Sequence, residues 1–361
     1  MRIVVYFYNN RGKTISYMLN YFLSRYKSIQ TRSFLTKPVK YKKAYAVIGT
    51  GQHSITNLYP CIWHLGIPVK KIYSATKKNA DDAAARWNNC QGTNDIEAIL
   101  NDSSITGVIV AVPAGLQAGM VKKLLEHGKQ VFAEKPIGYS LEELKSLIKI
   151  NQHGICQAGL QRRFAPVIKI LKEHCKNVYS YNYRFCTGAY PEGDSIYDIF
   201  IHPVDNVIQL FGKAEIEHMS VQKASGGETW FLFLNHNGIK GSIELSTHYS
   251  WRQSLDEMTV NTATKIFTIR YPGHVSAITK PATLLHVPLE KITRQPVHSH
   301  VYLDNTGFIP VAEMNSLQLL GFYPELLNFV TAVERGNATY LEKLESLLPA
   351  YEILERMKTA G

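Results

Sequence analysis

The chain has 361 residues, 45% apolar and 19% charged, which suits two domains with their own cores and excludes a disordered or collagenous protein. Its formal net charge of +11 suggests nucleic acid only until the charge is located. Fourteen Lys and Arg precede the first acidic residue, Asp81, while the other 26 basic groups are outnumbered by 29 acidic ones, so a basic surface spread over the whole protein is disfavoured.

Arg2–Tyr8 reads as a strand, and Ile15, Met18, Leu19, Phe22 and Tyr26 fall on one helical face. Residues 1–42 are therefore expected to form a basic β-α appendage with a linker around Pro38, in preference to an organellar transit peptide. Ala44–Gly49 is an apolar strand ending in Gly-Thr-Gly, and Pro60 should kink the helical stretch after it. Val69–Ser74 is a strand, Ala80–Trp87 a helix and Ile96–Leu100 a short helix. Gly107–Val112 is an unbroken apolar strand of the kind buried on both faces of a parallel sheet. Helix Leu116–His127, closed by Gly128, leads to strand Gln130–Glu134. Ser140 and Glu143 form a capping box for a helix through Ile150, and Gly154–Leu160 is a further strand. This alternation predicts a doubly wound parallel sheet over residues 43–160.

Beyond residue 161 the pattern changes. Val178–Cys186, Glu215–Gln222, Thr229–Leu234, Lys240–Ser246, Glu257–Asn261 and Lys265–Tyr271 read as strands, with Asn237-Gly238 as a type I′ hairpin turn. An open, mostly antiparallel sheet is expected within residues 161–361. Residues 272–311 show little periodicity, and helices Pro324–Arg335 and Leu341–Lys358 follow. Five scattered cysteines without a C-x-x-C pair argue against a disulfide framework or structural zinc and fit a reducing cytosol. No apolar run reaches the length of a membrane-spanning helix.

Four short segments carry chemistry. Gly49-Thr50-Gly51-Gln52-His53-Ser54 follows a strand and opens a helix, so its glycines let backbone approach a pyrophosphate at a helix N-terminus. Such a turn alone is often only a loop; the alternation that follows makes it a dinucleotide site. An NAD-binding turn expects a carboxylate about 20 residues further on to accept from the ribose hydroxyls. Ser74-Ala75-Thr76-Lys77-Lys78 stands there instead, which favours NADP(H) through its 2′-phosphate and leaves NAD(H) open. Glu134-Lys135-Pro136 brings a carboxylate and an amine to the C-terminal sheet edge, and a cis Pro136 would re-aim the chain there. Asp198 and His202, spaced i and i+4, would share a helix face so that Asp198 orients the imidazole. His298 and His300 have no clustered carboxylate or thiolate and read as a surface loop, and no metal site is expected.

Together with Ala111-Val112-Pro113, the run Gly128–Pro136, Gly159-Leu160-Gln161-Arg162-Arg163-Phe164, Asp198-x-x-x-His202-x-x-Asp205 and Gly321-Phe-Tyr-Pro-Glu325, these motifs resemble the Gfo/Idh/MocA family. That family is named for glucose-fructose oxidoreductase and inositol dehydrogenase. The resemblance starts near residue 43. It implies an N-terminal Rossmann domain, and a C-terminal α/β domain whose open sheet supports the substrate pocket and a dimer or tetramer interface. It also implies Lys135 and His202 as proton-transfer and substrate-orienting groups, Arg162 near the cofactor, and Val112 and Pro113 beside the nicotinamide. The chain departs from the family pattern at Ala114 and Gln117, where Asn and His are common, which should alter cofactor-side contacts. It also departs at Phe200, in place of a Gly, which puts bulk on the helix carrying His202 and should reshape the substrate pocket. The expected function is an NADP(H)-dependent, cytoplasmic oxidoreductase of a small polyol, sugar or sugar-derived carbonyl, with no nucleic-acid partner. The alternatives are an imine or enone reductase of secondary metabolism and a catalytically silent NADP-binding regulator.

Overall fold

The computed structural model describes residues 20–28, 41–151, 154–285, 287–292, 298–304 and 316–361. The chain divides into two units, residues 1–42 and 43–361. In the first, residues 20–28 form an exposed helix (α1); the expected strand Arg2–Tyr8 lies outside the described residues.

The second unit opens with six short strands: β1 (Ala44–Ile48), β2 (Val69–Tyr73), β3 (Gln91–Thr93), β4 (Ile105–Val110), β5 (Gln130–Glu134) and β6 (Cys156–Gly159). All pair in parallel in the order β3-β2-β1-β4-β5-β6. The central strands are buried almost throughout, as their continuous apolar runs require. The intervening helices are α2 (Tyr59–Leu65), α3 (Lys77–Ala84), α4 (Glu97–Leu100), α5 (Ala114–Glu126) and α6 (Leu141–Ile150). Helix α3 begins earlier than expected because extended Thr76 serves as its N-cap. Ser140 caps α6 by accepting from the Glu143 N–H at 3.1 Å, while the Glu143 carboxylate accepts from Tyr139 N–H. Strand order reverses between β1 and β4, and the crevice above that reversal is where open α/β sheets bind ligands.

A second sheet follows α7 (Pro166–His174). It comprises β7 (Val178–Cys186), β8 (Glu215–Ala224), β9 (Gly227–His236), β10 (Ile239–Ser246), β11 (Leu255–Thr262), β12 (Lys265–Arg270), β13 (His274–Thr279) and β16 (Ser299–Asp304). Thr283–Leu284 and Val287–Pro288 (β14 and β15) form a small separate hairpin. The large sheet runs β16-β13-β12-β11-β7-β10-β9-β8, antiparallel except where β10 lies parallel to β7. Asn237 and Gly238, at φ +50° and +100°, turn β9 into β10 as expected. Strands β13 and β16 correct the reading of residues 272–311 as patternless, and they place His300 on a strand. Both are six-residue strands, β16 at the sheet edge and β13 beside it, and the inward Val275 and Ala277 of β13 alternate with His and Ser, a weak signal in sequence.

One face of this sheet enters the core through Tyr183, Phe185, Trp230 and Leu232. The other carries Tyr179, Phe231 and Phe233, which are 57%, 41% and 48% exposed. Helix α8 (Ile201–Phe211) and the closing helix α11 (Leu348–Ala360) pack together. Between them in sequence come α9 (Ser316–Leu320) and α10 (Phe322–Arg335). Sequence placed α10 with the second sheet, yet it packs on the first: Phe329 lies 5.8 Å from Phe132 of β5, and Tyr45 of β1 donates to Glu334. Its buried Leu326, Phe329, Val330 and Val333 form the apolar stripe responsible.

Candidate active site

Strand β1 runs directly into the glycine turn. Gly49 sits at φ +112°, and a Cβ there would lie 2.0 Å from the Ala111 carbonyl oxygen, so only glycine allows β1 and β4 to end this close. At Gly51 nothing lies within 4 Å of an added Cβ, leaving open space over the N-terminus of the helix that starts at Gln52. Thr50 Oγ1 donates to Ser74 Oγ at 3.0 Å, tying this turn to the end of β2. Ser54, in place of the third glycine, is 1% exposed and its hydroxyl has no hydrogen-bond partner. An open cradle, a helix N-terminus and an orphaned buried hydroxyl fit a dinucleotide pyrophosphate. Lys77 pairs with Asp81 and Lys78 with Asp82, both as exposed i,i+4 pairs on α3.

At the reversal point, a residue that sequence marked only as a departure joins two strand ends. Buried Gln117 accepts from Val112 N–H at 3.2 Å and donates to the Glu134 carbonyl at 2.7 Å. Pro113 is the N-cap of α5. The signal available in sequence was a polar amide on the inward face of a helix, which must find partners when buried. His53 also takes a different place from the one its motif suggested. Its Nε2 lies 3.2 Å from Glu134 Oε1 and its ring meets Phe322 edge-on at 5.7 Å, so it braces the glycine turn against β5 and α10.

The bond between Lys135 and Pro136 is cis. Lys135 Nζ donates to the backbone carbonyl of Asp198, joining the end of β5 to the segment that leads into α8. That segment, Ile196–Phe200, is a π-helical turn. Its wider i→i+5 bonding carries Asp198 and His202 off the face that i,i+4 spacing would share. The Asp198 carboxylate therefore accepts from Tyr139 Oη at 3.0 Å and from Asp194 N–H at 3.0 Å, while His202 Nδ1 is buried with no hydrogen-bond partner. The expectation that Asp198 orients His202 is corrected accordingly. Phe200, on the same turn, is fully buried in the core.

Burial sets the electrostatics. It lowers the Lys135 pKa, and the nearby Glu134 and Asp198 only partly oppose it. The imidazole of His202 is pushed well below its usual 6.5, first by burial and then by Arg162, Lys135 and His53. Arg162 is fixed by Asp256 and flanked by the rings of Tyr271 and Phe185, at 4.3 and 5.1 Å. Its charge reaches both Lys135 and His202. Burial raises the Asp198 carboxyl. Lys135, Arg162, His202 and His53 thus share one electrostatic neighbourhood at the C-terminal edge of the parallel sheet. Ser74, Thr76 and Lys77 stand at the β2 end of that edge.

Residues 43–159 match the family described as an oxidoreductase family with an NAD-binding Rossmann fold. This segment belongs to the Gfo/Idh/MocA family. Over 158 residues the chain is 33% identical to scyllo-inositol 2-dehydrogenase (NAD(+)) of Bacillus subtilis (strain 168), covering 40% of this chain and 46% of the relative. It is 25% identical over 158 residues to the NADP(+) enzyme of the same name and organism, covering 43% and 48%. The chain thus spans about half or less of these curated relatives. Over 88% of its length it shares the fold of a dehydrogenase from Chromobacterium violaceum at 17% identity, with a TM-score of 0.75 and 94% of that chain covered. Levoglucosan dehydrogenase in complex with NADH gives a TM-score of 0.73 at 16% identity, with 88% and 96% covered. Through both sheets the fold is therefore shared with these dehydrogenases.

Proposed function

We propose that this chain is an NADP(H)-dependent oxidoreductase that moves a hydride between nicotinamide and a carbinol or carbonyl carbon of a polyol, sugar or sugar derivative. The observation that carries this reading is the pair Lys135 and His202. His202 is buried and Lys135 half-buried beside the dinucleotide crevice, and both are shifted toward their neutral forms. The dinucleotide, when bound, supplies the hydride acceptor or donor. Gly49, Thr50 and Gly51 hold its pyrophosphate, and Val112 and Pro113, positioned through Gln117, form the wall on the nicotinamide side. Lys135 takes the substrate hydroxyl proton during oxidation and returns it during reduction. His202, neutral and with a free Nδ1, orients that oxygen by a hydrogen bond. Asp198 fixes Lys135 through its backbone carbonyl. Turnover of NADP+ with a panel of polyols and sugars is the direct test; no reduced nicotinamide formed with any of them would overturn the reading.

Ser74, Thr76 and Lys77 support the NADP(H) preference, because no carboxylate stands there to repel a 2′-phosphate. Ser74→Asp is expected to cut kcat/KM for NADP+ by about tenfold or more through like-charge repulsion, while NAD+ gains. A parent enzyme that prefers NAD+ would refute the assignment. The exposed apolar face of the large sheet supports a homo-oligomer. Phe231→Asp with Phe233→Asp should then reduce the sedimenting species to monomers, and a monomeric parent would contradict this. All five cysteines are free, as a reducing cytosol would keep them. Among the described residues no helix is long and apolar enough to cross a membrane.

A further inference from the structure

A cavity of about 1100 Å³ opens between α2 and α3 on the flank of the dinucleotide domain. Its wall is built from rings. Tyr59 and Trp63 both meet Trp87 edge-on, with centroids 5.2 and 5.8 Å away, and Trp63 is 61% exposed. One exposed tryptophan is ordinary on a surface; three rings converging on a cavity at the large end of small-molecule sites are not. The charges in this cavity do not balance. Asp82 is paired with Lys78 at 2.6 Å, while exposed Arg86 makes no ion pair among the described residues. A guanidinium rejects a cationic guest and matches a planar acid group through two parallel hydrogen bonds.

We propose that this cavity binds a small, flat aromatic acid, with its ring against Trp63 and Trp87 and its acid group on Arg86. The site is separate from the dinucleotide crevice but is joined to it by two side chains. Tyr59 lines the cavity, and its hydroxyl donates to the Gly49 carbonyl at 2.9 Å. Thr50 lies at the cavity edge and holds Ser74. A guest packed on Tyr59 and Thr50 stabilises the glycine turn in the shape that receives a pyrophosphate. The two ligands therefore bind together, each tightening the other by the same factor.

The test uses 2-naphthoate as the probe, with the full-length protein and no substrate present. Its outcome is therefore independent of whether hydride transfer occurs. Saturable binding is expected, with quenching of tryptophan emission. Arg86→Gln and Trp63→Ala, both at exposed positions that do not threaten the fold, should each weaken it about tenfold. Adding NADP+ should strengthen probe binding about two- to fivefold in the parent. Equal probe affinity in the parent and both variants would overturn the site. Non-saturable binding would do the same. Displacement of the probe by NADP+ would place it in the dinucleotide crevice and would overturn the claim of a separate site.

Discussion

Lys135→Met is expected to lower kcat about a hundredfold to ten-thousandfold, the usual span for a lost acid–base group, while leaving dinucleotide affinity within about twofold. The sign of the pH dependence follows from burial. Lys135 titrates below its usual 10.5, so alcohol oxidation, which needs the free amine, rises as pH increases through that lowered value. Carbonyl reduction needs the ammonium and falls over the same range. His202 cannot produce this break, because its pKa lies well under 6.5 and the ring stays neutral throughout. Accordingly His202→Asn should lower the rate yet keep the break, whereas Lys135→Arg, charged at every working pH, should abolish it. A break that persists in Lys135→Arg and disappears in His202→Asn would exchange the two roles.

Asp205→Ala is expected to destabilise the protein by about 3–5 kcal/mol, the cost of stranding one buried charge. Arg163 and Asp205 form a two-pronged pair of 2.7 and 2.5 Å with side chains only 4% and 2% exposed, and Arg163 also donates to Ser346. The pair fixes α8, and with it His202, to the turn at Gln161–Phe164. Replacing both partners, as Arg163→Met with Asp205→Leu, should recover most of that loss because neither charge is then left buried. Urea unfolding measures both. A single variant that unfolds with the parent would show that the pair contributes nothing to stability.

The first domain was the more legible. Its strands are mostly apolar runs bounded by glycines and helix caps, which are local signals, and five of the six parallel strands fell close to where the periodicity placed them; the three-residue polar β3 (Gln91–Thr93) was missed. The glycine turn was legible for the same reason: Gly49 is required by a backbone approach that any strand–turn–helix unit of this kind repeats. Strand β16, at the sheet edge, and its neighbour β13 were missed because short strands need only a weak alternation once their neighbours supply the hydrogen bonds. The strands from β7 to β12 were readable, but the exposed aromatic face of their sheet and the parallel pairing of β7 with β10 were not.

Sequence by itself determined the two-sheet class, the dinucleotide turn, the absence of a carboxylate near Ser74, and which amine and imidazole to watch. Tertiary structure alone decided their company. The π-turn at Ile196–Phe200 sends Asp198 to Tyr139 and leaves His202 Nδ1 without a hydrogen-bond partner, against the helical spacing of the chain. Gln117 joins β4 to β5, His53 braces Glu134, and α10 returns to the first sheet. Each of these depends on contacts between residues far apart in sequence, whose partners and burial no local pattern specifies. The same is true of proton affinity, since desolvation depends on what surrounds a group in space. The +11 charge divides in the same way: sequence placed it in the first 80 residues. Structure then showed Lys77 and Lys78 already held by Asp81 and Asp82, and left Arg86 open in an aromatic cavity beside the cofactor turn.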